Sequence, residues 1–600
     1  MFESGKVRTE LIWTGKRREK EPLPVLPFQY IETVNEPRTK TMDYFYDIDN
    51  TSNWYNLLIW GDNKLVMNSL LEKFAGKINL IYIDPPFATG ADFSMPIRIE
   101  GEEFVKEPSA IEVKVYRDTW GQGLASYLQM MYDRLVLMRE LLAETGTIYV
   151  HLDYRVVHYV KLIMDEIFGK ENFINEIAWV YTGREAPAKD GFVRKHETIL
   201  FYSKTENYTF NKQYEPYDEK YVKLYFVHKD EDGRLFQWQP DGKGGRYKQY
   251  LDEAKGIPLR DWWQIKPVHG MDYMKKAESE WLGFPTQKPE ALLERIIKTS
   301  SNEGDIIADF FCGSGTTLAV AEKLGRRWIG CDISKYAINV TRKRLLEIPN
   351  CKPFHILNLG KYQKYMLVKN GNGGSKYLRF ILQLYKATPI KGFAYLHGKK
   401  DNRLVHVGSV DSFVSVQEVK DTAREAENVN ASGIDILGWD FEMGLHDLLD
   451  SIIRQYGKDI KLKIIPNTVL DIDLRKSKST ILDEIKFFDL NYLDVGYDID
   501  GKVVKIYIKR FNIANPEFIP EEIRNNIKDF TSYIDYWAVD FDYKGDTFHN
   551  MRQEYRTRKN PKLKTSISYE YDKSGKYDIL VKVVDILGND TNKLLTVRIN

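Results

Sequence analysis

Between Trp54 and about Leu346, short apolar runs rich in β-branched and aromatic residues alternate with longer amphipathic stretches. NLIYID (79 to 84) and GTIYVHLD (146 to 153) predict buried strands. From Ser126 to Leu142 the apolar positions Leu128, Met131, Leu135, Met138 and Leu142 recur every three or four residues and predict a helix, with its methionines in the core rather than on a ligand. Such alternation predicts an α/β sheet, doubly wound and Rossmann-like, with helices on both faces. INEIAWVY (174 to 181) and HETILFYS (196 to 203) predict an antiparallel hairpin at one edge of that sheet. Residues 1–50 are polar, carry several prolines and the cluster Lys16, Arg17, Arg18 and Lys20, and read as an arm with little regular structure. The Gly-Asn-Gly-Gly run at 371 to 374 marks a joint and places a boundary near 360. A C-terminal α+β region follows over 360–562, with strand-like runs such as RLVHVGSV. From 563 to 600, four alternating runs broken by Ser-Gly and Gly-Asn turns predict a small β-sandwich.

Composition changes the picture mainly by exclusion. The 600 residues leave room for roughly four domains at most. With 87 Lys+Arg against 86 Asp+Glu, no whole-chain field holds a polyanion, so any such partner must be gripped by local basic patches. Cys312, Cys331 and Cys351 are too few and too unevenly placed for a disulfide framework or a four-ligand zinc site. No His, Cys or carboxylate cluster has metal-ligand spacing, so no metal is expected. Neither a membrane-spanning run nor a secretory signal is evident, which makes the cytoplasm the expected compartment.

The segment DIIADFFCGSGTTLAVAEKLGRRWIGCDIS reads as strand, glycine turn, helix, strand. Its second strand ends in Asp332, at the distance where an acid takes the two hydroxyls of a ribose. The third glycine of the dinucleotide fingerprint is replaced by Leu318, which disfavours pyrophosphate. Asp309 before the turn, with Thr316 and Thr317 after it, suits an adenosine carrying a charged amino-acid tail, as in S-adenosylmethionine. Asp84-Pro85-Pro86-Phe87 closes another predicted strand. An exocyclic amine on a purine or pyrimidine is a poor nucleophile because its lone pair is delocalised. A carboxylate from Asp84 and the carbonyl of Pro85, each accepting one N–H, would localise that pair while Phe87 stacks on the base. Proline suits the task because it has no N–H and a fixed φ.

Taken together, these motifs resemble the S-adenosylmethionine-dependent amino-group DNA methyltransferases, N6-adenine or N4-cytosine, of the permuted β class, and type III modification subunits in particular. As in that family, Asp84-Pro85-Pro86-Phe87 precedes Asp309-Phe310-Phe311-Cys312-Gly313-Ser314-Gly315. The resemblance covers about residues 54 to 346 and divides them into a catalytic half (51–206), an inserted target-recognition region (207–284) and a cofactor half (285–359). It implies cofactor contacts at Asp62, Asp309, Phe311, Gly313, Ser314, Gly315, Thr316, Thr317 and Asp332. From the segment FPTQKPEALLERII it adds Thr286, Gln287, Lys288 and Pro289. The usual catalytic tyrosine is Phe87 here, so stacking survives and a hydroxyl is lost. An acid before Pro-Pro is the usual adenine form, which favours N6 over the N4-cytosine alternative.

Weaker signals concern DNA. Lys195 and His196, with Glu197, lie in the region the resemblance places near the target base. Trp238, Tyr247, Tyr250, Trp262 and Trp263 alternate with Arg246, Lys248 and Arg260, a pattern that suits either DNA stacking or ordinary packing. Arg556, Arg558 and Lys559 belong to the strongest local basic patch, a candidate phosphate contact or a solvated face. Asp473 with Glu484 to Lys486 has the spacing of a nuclease triplet, a pattern that recurs by chance. The expected partners are double-stranded DNA, a restriction or helicase subunit and a second copy of the chain, with no membrane. The alternative to a self-sufficient enzyme is a DNA-recognition subunit of a restriction assembly.

Overall fold

The structure, a computed structural model, describes residues 10–18, 23–35, 54–86, 95–99, 102–106, 123–181, 191–265, 280–359 without 283 and 285, 373–466 without 411, 443 and 444, and 487–600 without 515, 517, 518, 526, 528, 546, 557–561 and 587. Phe87, Arg558, Lys559, Asp473 and the Glu484–Lys486 triplet lie outside these residues.

An 11-stranded sheet organises the first half of the chain. Its strands are β1 (Gln29–Val34), β2 (Asn56–Trp60), β3 (Ile78–Ile83), β4 (Leu142–Leu152), β5 (Phe173–Val180), β6 (His196–Ser203), β7 (Trp262–Gln264), β8 (Ile306–Asp309), β9 (Arg327–Asp332), β10 (Phe354–Asn358) and β11 (Phe548–Asn550). They are ordered β7-β5-β6-β4-β3-β8-β9-β2-β10-β1-β11. The six central strands from β4 to β10 are parallel and close to uniformly apolar, as a sheet covered on both faces requires. Helices α1 (Asn63–Phe74), α2 (Leu124–Leu141), α3 (Val157–Phe168), α4 (Glu290–Ser300), α5 (Thr316–Lys323) and α6 (Lys335–Leu346) provide the cover. Leu128, Met131, Leu135 and Met138 of α2 are all buried in one core, so its methionines pack as the three-or-four spacing predicts. Leu142 already opens β4.

Three expectations change. The N-terminal segment is not wholly irregular: β1 pairs antiparallel with β10 and parallel with β11, bringing residue 32 beside residue 548. Its alternation is too short to stand out by itself, and long-range pairing supplies the order. The described residues of 373–466 form an α/β unit rather than an α+β one, because Arg403–Val407, Gly433–Gly438 and Asp459–Ile464 run parallel and are linked by helices Val416–Ala426 and Leu445–Tyr456. Finally, the sandwich begins well before residue 563. Strands Tyr492–Asp500, Val503–Asn512 and Ser566–Glu570 form one sheet, and Ile534–Asp540, Arg552–Tyr555, Gly575–Asp585 and Asp590–Ile599 the other. Val504, Ile506, Phe511, Trp537, Val539, Ile579 and Val581 fill the space between them. The hairpin of β5 and β6 is antiparallel as expected, although β7 lies outside it and forms the edge.

Candidate active site

Strand order reverses between β3 and β8: β3 continues through α2 to β4 on one side, and β8 through α5 to β9 on the other. In open α/β sheets such a reversal leaves a crevice beyond the carboxyl ends of the two strands. Ile307 and Ala308 of β8 pair with Leu80 and Ile81 of β3, so Asp84-Pro85-Pro86 and the glycine turn leave the sheet side by side. Pro85 is buried, while Asp84 and Pro86 are partly accessible.

The turn is built to be compact. Gly313 (φ +50°) and Gly315 (φ +73°) take left-handed conformations, and a Cβ on Gly315 would lie 2.5 Å from Cγ2 of Thr341. Asp332 holds the turn from the next strand: one carboxylate oxygen accepts from the Gly313 amide (2.9 Å) and the other from Ser334 (2.9 Å). The Gly61 amide donates to the Asp332 carbonyl at 3.0 Å, which puts Asp62 beside the same mouth. Asp62 caps α1 through the Lys64 amide (2.7 Å) and faces Arg134 at 3.4 Å. A glycine turn too tight for side chains, flanked by the acids Asp62 and Asp332, fits an adenosyl ligand that offers amine and hydroxyl donors. Ser314, Thr316 and Thr317 are buried and shape the turn from behind. The Thr317 hydroxyl donates to Asp309 (2.6 Å), and Thr316 donates to the Lys288 carbonyl (3.2 Å) while accepting from Arg344 (2.7 Å). Phe311 is partly buried against the main core.

Asp309 itself is buried, and its carboxylate is taken up by Thr317 and the Phe311 amide. Burial pushes its carboxyl up to about 7, against the lowering effect of those two bonds, with Asp84 and Asp332 adding to the rise. Leu318 explains the missing third glycine. A Cβ on Gly330 of β9 would sit 2.3 Å from its Cδ1, so the small residue that lets helix and strand approach is on the strand instead of the helix.

Opposite the turn, Asp84 belongs to a chain of polar groups. The Lys288 ammonium lies 3.0 Å from Asp84 Oδ2 and 3.3 Å from Glu197 Oε2. Glu197 Oε2 is 2.8 Å from Nε2 of the fully buried His151, whose Nδ1 is 2.9 Å from the Tyr82 hydroxyl. Burial alone would raise the Glu197 carboxyl, but His151 and Lys288 outweigh it and hold it down at about 2. Lys288 is likewise desolvated, yet Asp84 and Glu197 keep its ammonium favoured. Of the segment 286 to 289, Thr286 is exposed, and Gln287 is buried in bonds to Glu280 and Leu282. Pro289 precedes α4 as its cap residue.

The expected DNA contacts divide. His196 faces solvent at the start of β6, Lys195 is half-buried, and Glu197 is the member of that triplet that enters the crevice. Successive strand residues alternate faces, a signal that could have singled out Glu197. His151, a lone histidine in an apolar strand, carries no such mark. Arg246, Tyr247 and Lys248 are exposed on strand Arg246–Tyr250, which pairs with Leu235–Pro240 and its exposed Trp238. Lys248 lies over the Phe236 ring at 4.7 Å. Trp263 instead packs into a second core with Ile177 and Trp179, and Tyr250 is half-buried, so the aromatic series does not act as one surface. Arg556 is half-buried with its guanidinium donating to the Thr531 carbonyl, which ties it to the sandwich. Among the described residues no group of three or more His, Cys, Asp or Glu is arranged to hold a metal, and no helix is long and apolar enough to cross a membrane.

A DNA methylase family model, of the N6/N4 methyltransferase type, matches residues 78–343. The type II methyltransferase M.EcaI of Enterobacter cloacae is 31% identical over 334 residues, 48% of this chain and 69% of its own length. This chain belongs to the DNA methylase family. The methylase is also 28% identical over 355 residues to the StyLTI Mod subunit of a type III restriction-modification enzyme from Salmonella typhimurium, a match covering 48% of the chain and 54% of that subunit. M2.DpnII of Streptococcus pneumoniae, a type II methyltransferase, is 48% identical over 122 residues, 20% of this methylase and 44% of its own.

Proposed function

We propose that this methylase transfers a methyl group from S-adenosylmethionine to the N6 amine of adenine in double-stranded DNA, as the modification component of a restriction-modification system. The observation that carries this reading is the parallel pairing of β3 with β8, which sets Asp84-Pro85-Pro86 next to the glycine turn. When bound, the cofactor supplies an electrophilic methyl group. The chain's own residues then have two tasks. Asp84 and the Pro85 carbonyl accept the two N–H groups of the target amine, which localises the nitrogen lone pair and draws the departing proton towards Asp84. Asp62 and Asp332 hold the adenosyl part at the far side of the crevice. A base within a duplex cannot reach this crevice and must be flipped out, at a cost of about a few kcal/mol. The half-buried Lys195 and the exposed Arg246 and Lys248 are assigned to the phosphates around it, and Phe87 is assigned the stacking role. Adenine is favoured by the acid before Pro-Pro.

Asp84→Ala should abolish turnover while leaving cofactor affinity within about twofold, because the interaction is made chiefly in the transition state. Nucleoside mass spectrometry of modified DNA identifies the product. N4-methylcytosine would replace the substrate assignment, and an active Asp84→Ala enzyme would remove the mechanism. The Mod-subunit name of the StyLTI relative favours an assembly with a restriction subunit, which co-sedimentation of the full chain with a candidate subunit would reveal.

A further inference from the structure

Lys288 occupies an unusual place between the two halves of the crevice. Its backbone carbonyl accepts from the Thr316 hydroxyl at the first turn of α5, on the cofactor side (3.2 Å). Its ammonium lies against Asp84 (3.0 Å) and Glu197 (3.3 Å) on the catalytic side, 5.8 Å from the Trp179 ring centroid. With only a tenth of its side chain exposed, it has given up most of its water. A buried ammonium is costly unless it is paired, so its placement is set by the two carboxylates. Glu197 lies in turn 2.8 Å from His151, and His151 is bonded to Tyr82, two residues before Asp84. The chain of contacts therefore starts at Tyr82 of β3 and ends at Asp84, just past that strand.

From this geometry we propose that Lys288 is a positioning residue for Asp84. Its ammonium, backed by Glu197 and His151, holds Oδ2 of Asp84 and leaves Oδ1 for the target amine. The proposal rests on the reading of Asp84 as the acceptor of that amine. It separates Lys288 from the cofactor contacts with which the family resemblance groups it.

The surroundings show why a cation is needed here. Groups facing the Asp84–Lys288 pair are Tyr82 from β3, Tyr127 from α2, His151 from β4, Tyr181 beyond β5, Glu197 from β6 and Asp309 from β8. Burial raises all three tyrosines further from ionisation. Asp309 and Glu197 are carboxylic groups that disfavour a second negative charge nearby. Lys288 offsets them, with its ammonium 3.0 Å from one oxygen of the Asp84 carboxylate.

Three variants test the idea through the pH profile of kcat and through cofactor binding, measured on the full chain with duplex DNA. Lys288→Met should lower kcat about 100-fold, the cost of misplacing a reacting group, and move the acid limb of the profile to higher pH. Its affinity for S-adenosylmethionine, read by titration calorimetry, should stay within about twofold, since the difference lies in the transition state. Lys288→Arg keeps the charge and should leave the acid limb in place while losing part of kcat. Glu197→Gln removes the anchor without removing the cation, so kcat should fall with no upward movement of that limb. An unchanged kcat and acid limb in Lys288→Met, with weakened cofactor binding, would overturn the proposal and make Lys288 a cofactor contact. Should Lys288→Met not fold, an unaltered kcat in Glu197→Gln overturns it equally. Activity in Asp84→Ala would instead count against the underlying mechanism, so the two failures are distinguishable.

Discussion

At the scale of single residues, Asp309 shows how a binding loop can be bought with a buried acid. Its carboxyl is raised to about 7 by burial, while in an unfolded chain it titrates near the ordinary Asp value of about 3.9. The folded state therefore binds this proton more tightly. Its contribution to stability is fully present below about pH 4 and is lost as pH rises through 7. Asp309→Asn should remove that part of the pH dependence, so denaturant midpoints from pH 4 to 8 should vary less than in the parent. Gly315→Ala should cost roughly 1–3 kcal/mol, because alanine is strained at φ +73° and its Cβ would run into Thr341. Chemical denaturation would show this directly. The residues with the strongest local signatures, Asp84, Gly313, Gly315 and Asp332, were legible because each ends a strand or makes a turn. Glu197 was read only as a neighbour of Lys195 and His196 near the target base, and His151 and Tyr82 were not assigned to the site, since the significance of all three comes from strands that are remote in sequence and adjacent in space.

Among elements, the contact between α5 and β9 offers a cleaner test of packing. Gly330 leaves room for Leu318, so Gly330→Ala should overpack the helix against the sheet and destabilise by about 1–3 kcal/mol. Adding Leu318→Ala should recover part of that loss, and the non-additivity in a double-mutant cycle measures the contact. Leu318 in the sequence argued against a dinucleotide loop, but only the strand pairing reveals that Gly330 takes over the spacing role. Strand periodicity identified β3, β4, β5 and β6. The short strands β1, β7 and β11 escaped notice because three to six residues carry little periodic signal and gain their order from neighbours. RLVHVGSV already marked Arg403–Val407 as strand-like, but its parallel pairing with Gly433–Gly438, and theirs with Asp459–Ile464 across crossover helices, is legible only in the structure.

For the whole molecule, the sandwich and the methylase sheet are joined through a buried carboxylate. Glu32 Oε1 accepts from Arg342 (2.7 Å) and Asn550 (2.9 Å), and Oε2 lies 3.3 Å from the Lys582 ammonium. Burial would raise the Glu32 carboxyl, but Arg342 and Lys582 outweigh it and hold it low. Its stabilising effect is therefore present above the unfolded value of about 4.3 and is lost as pH falls through the folded value. Glu32→Gln leaves the buried Arg342 without its carboxylate and Lys582 with Asp590 alone, and should cost about 3–5 kcal/mol, seen as a lower thermal midpoint and weaker acid dependence.

The pairing of β1 with β11 also bears on how the chain is made. The strand that begins the sheet must wait for Asn550 to leave the ribosome before its outer edge is covered. At about 5–20 residues per second, that edge stays open for many seconds of synthesis. During this interval its unpaired amides and carbonyls can recruit the wrong strand. A nascent chain arrested shortly before residue 548 should bind chaperones that the finished protein ignores.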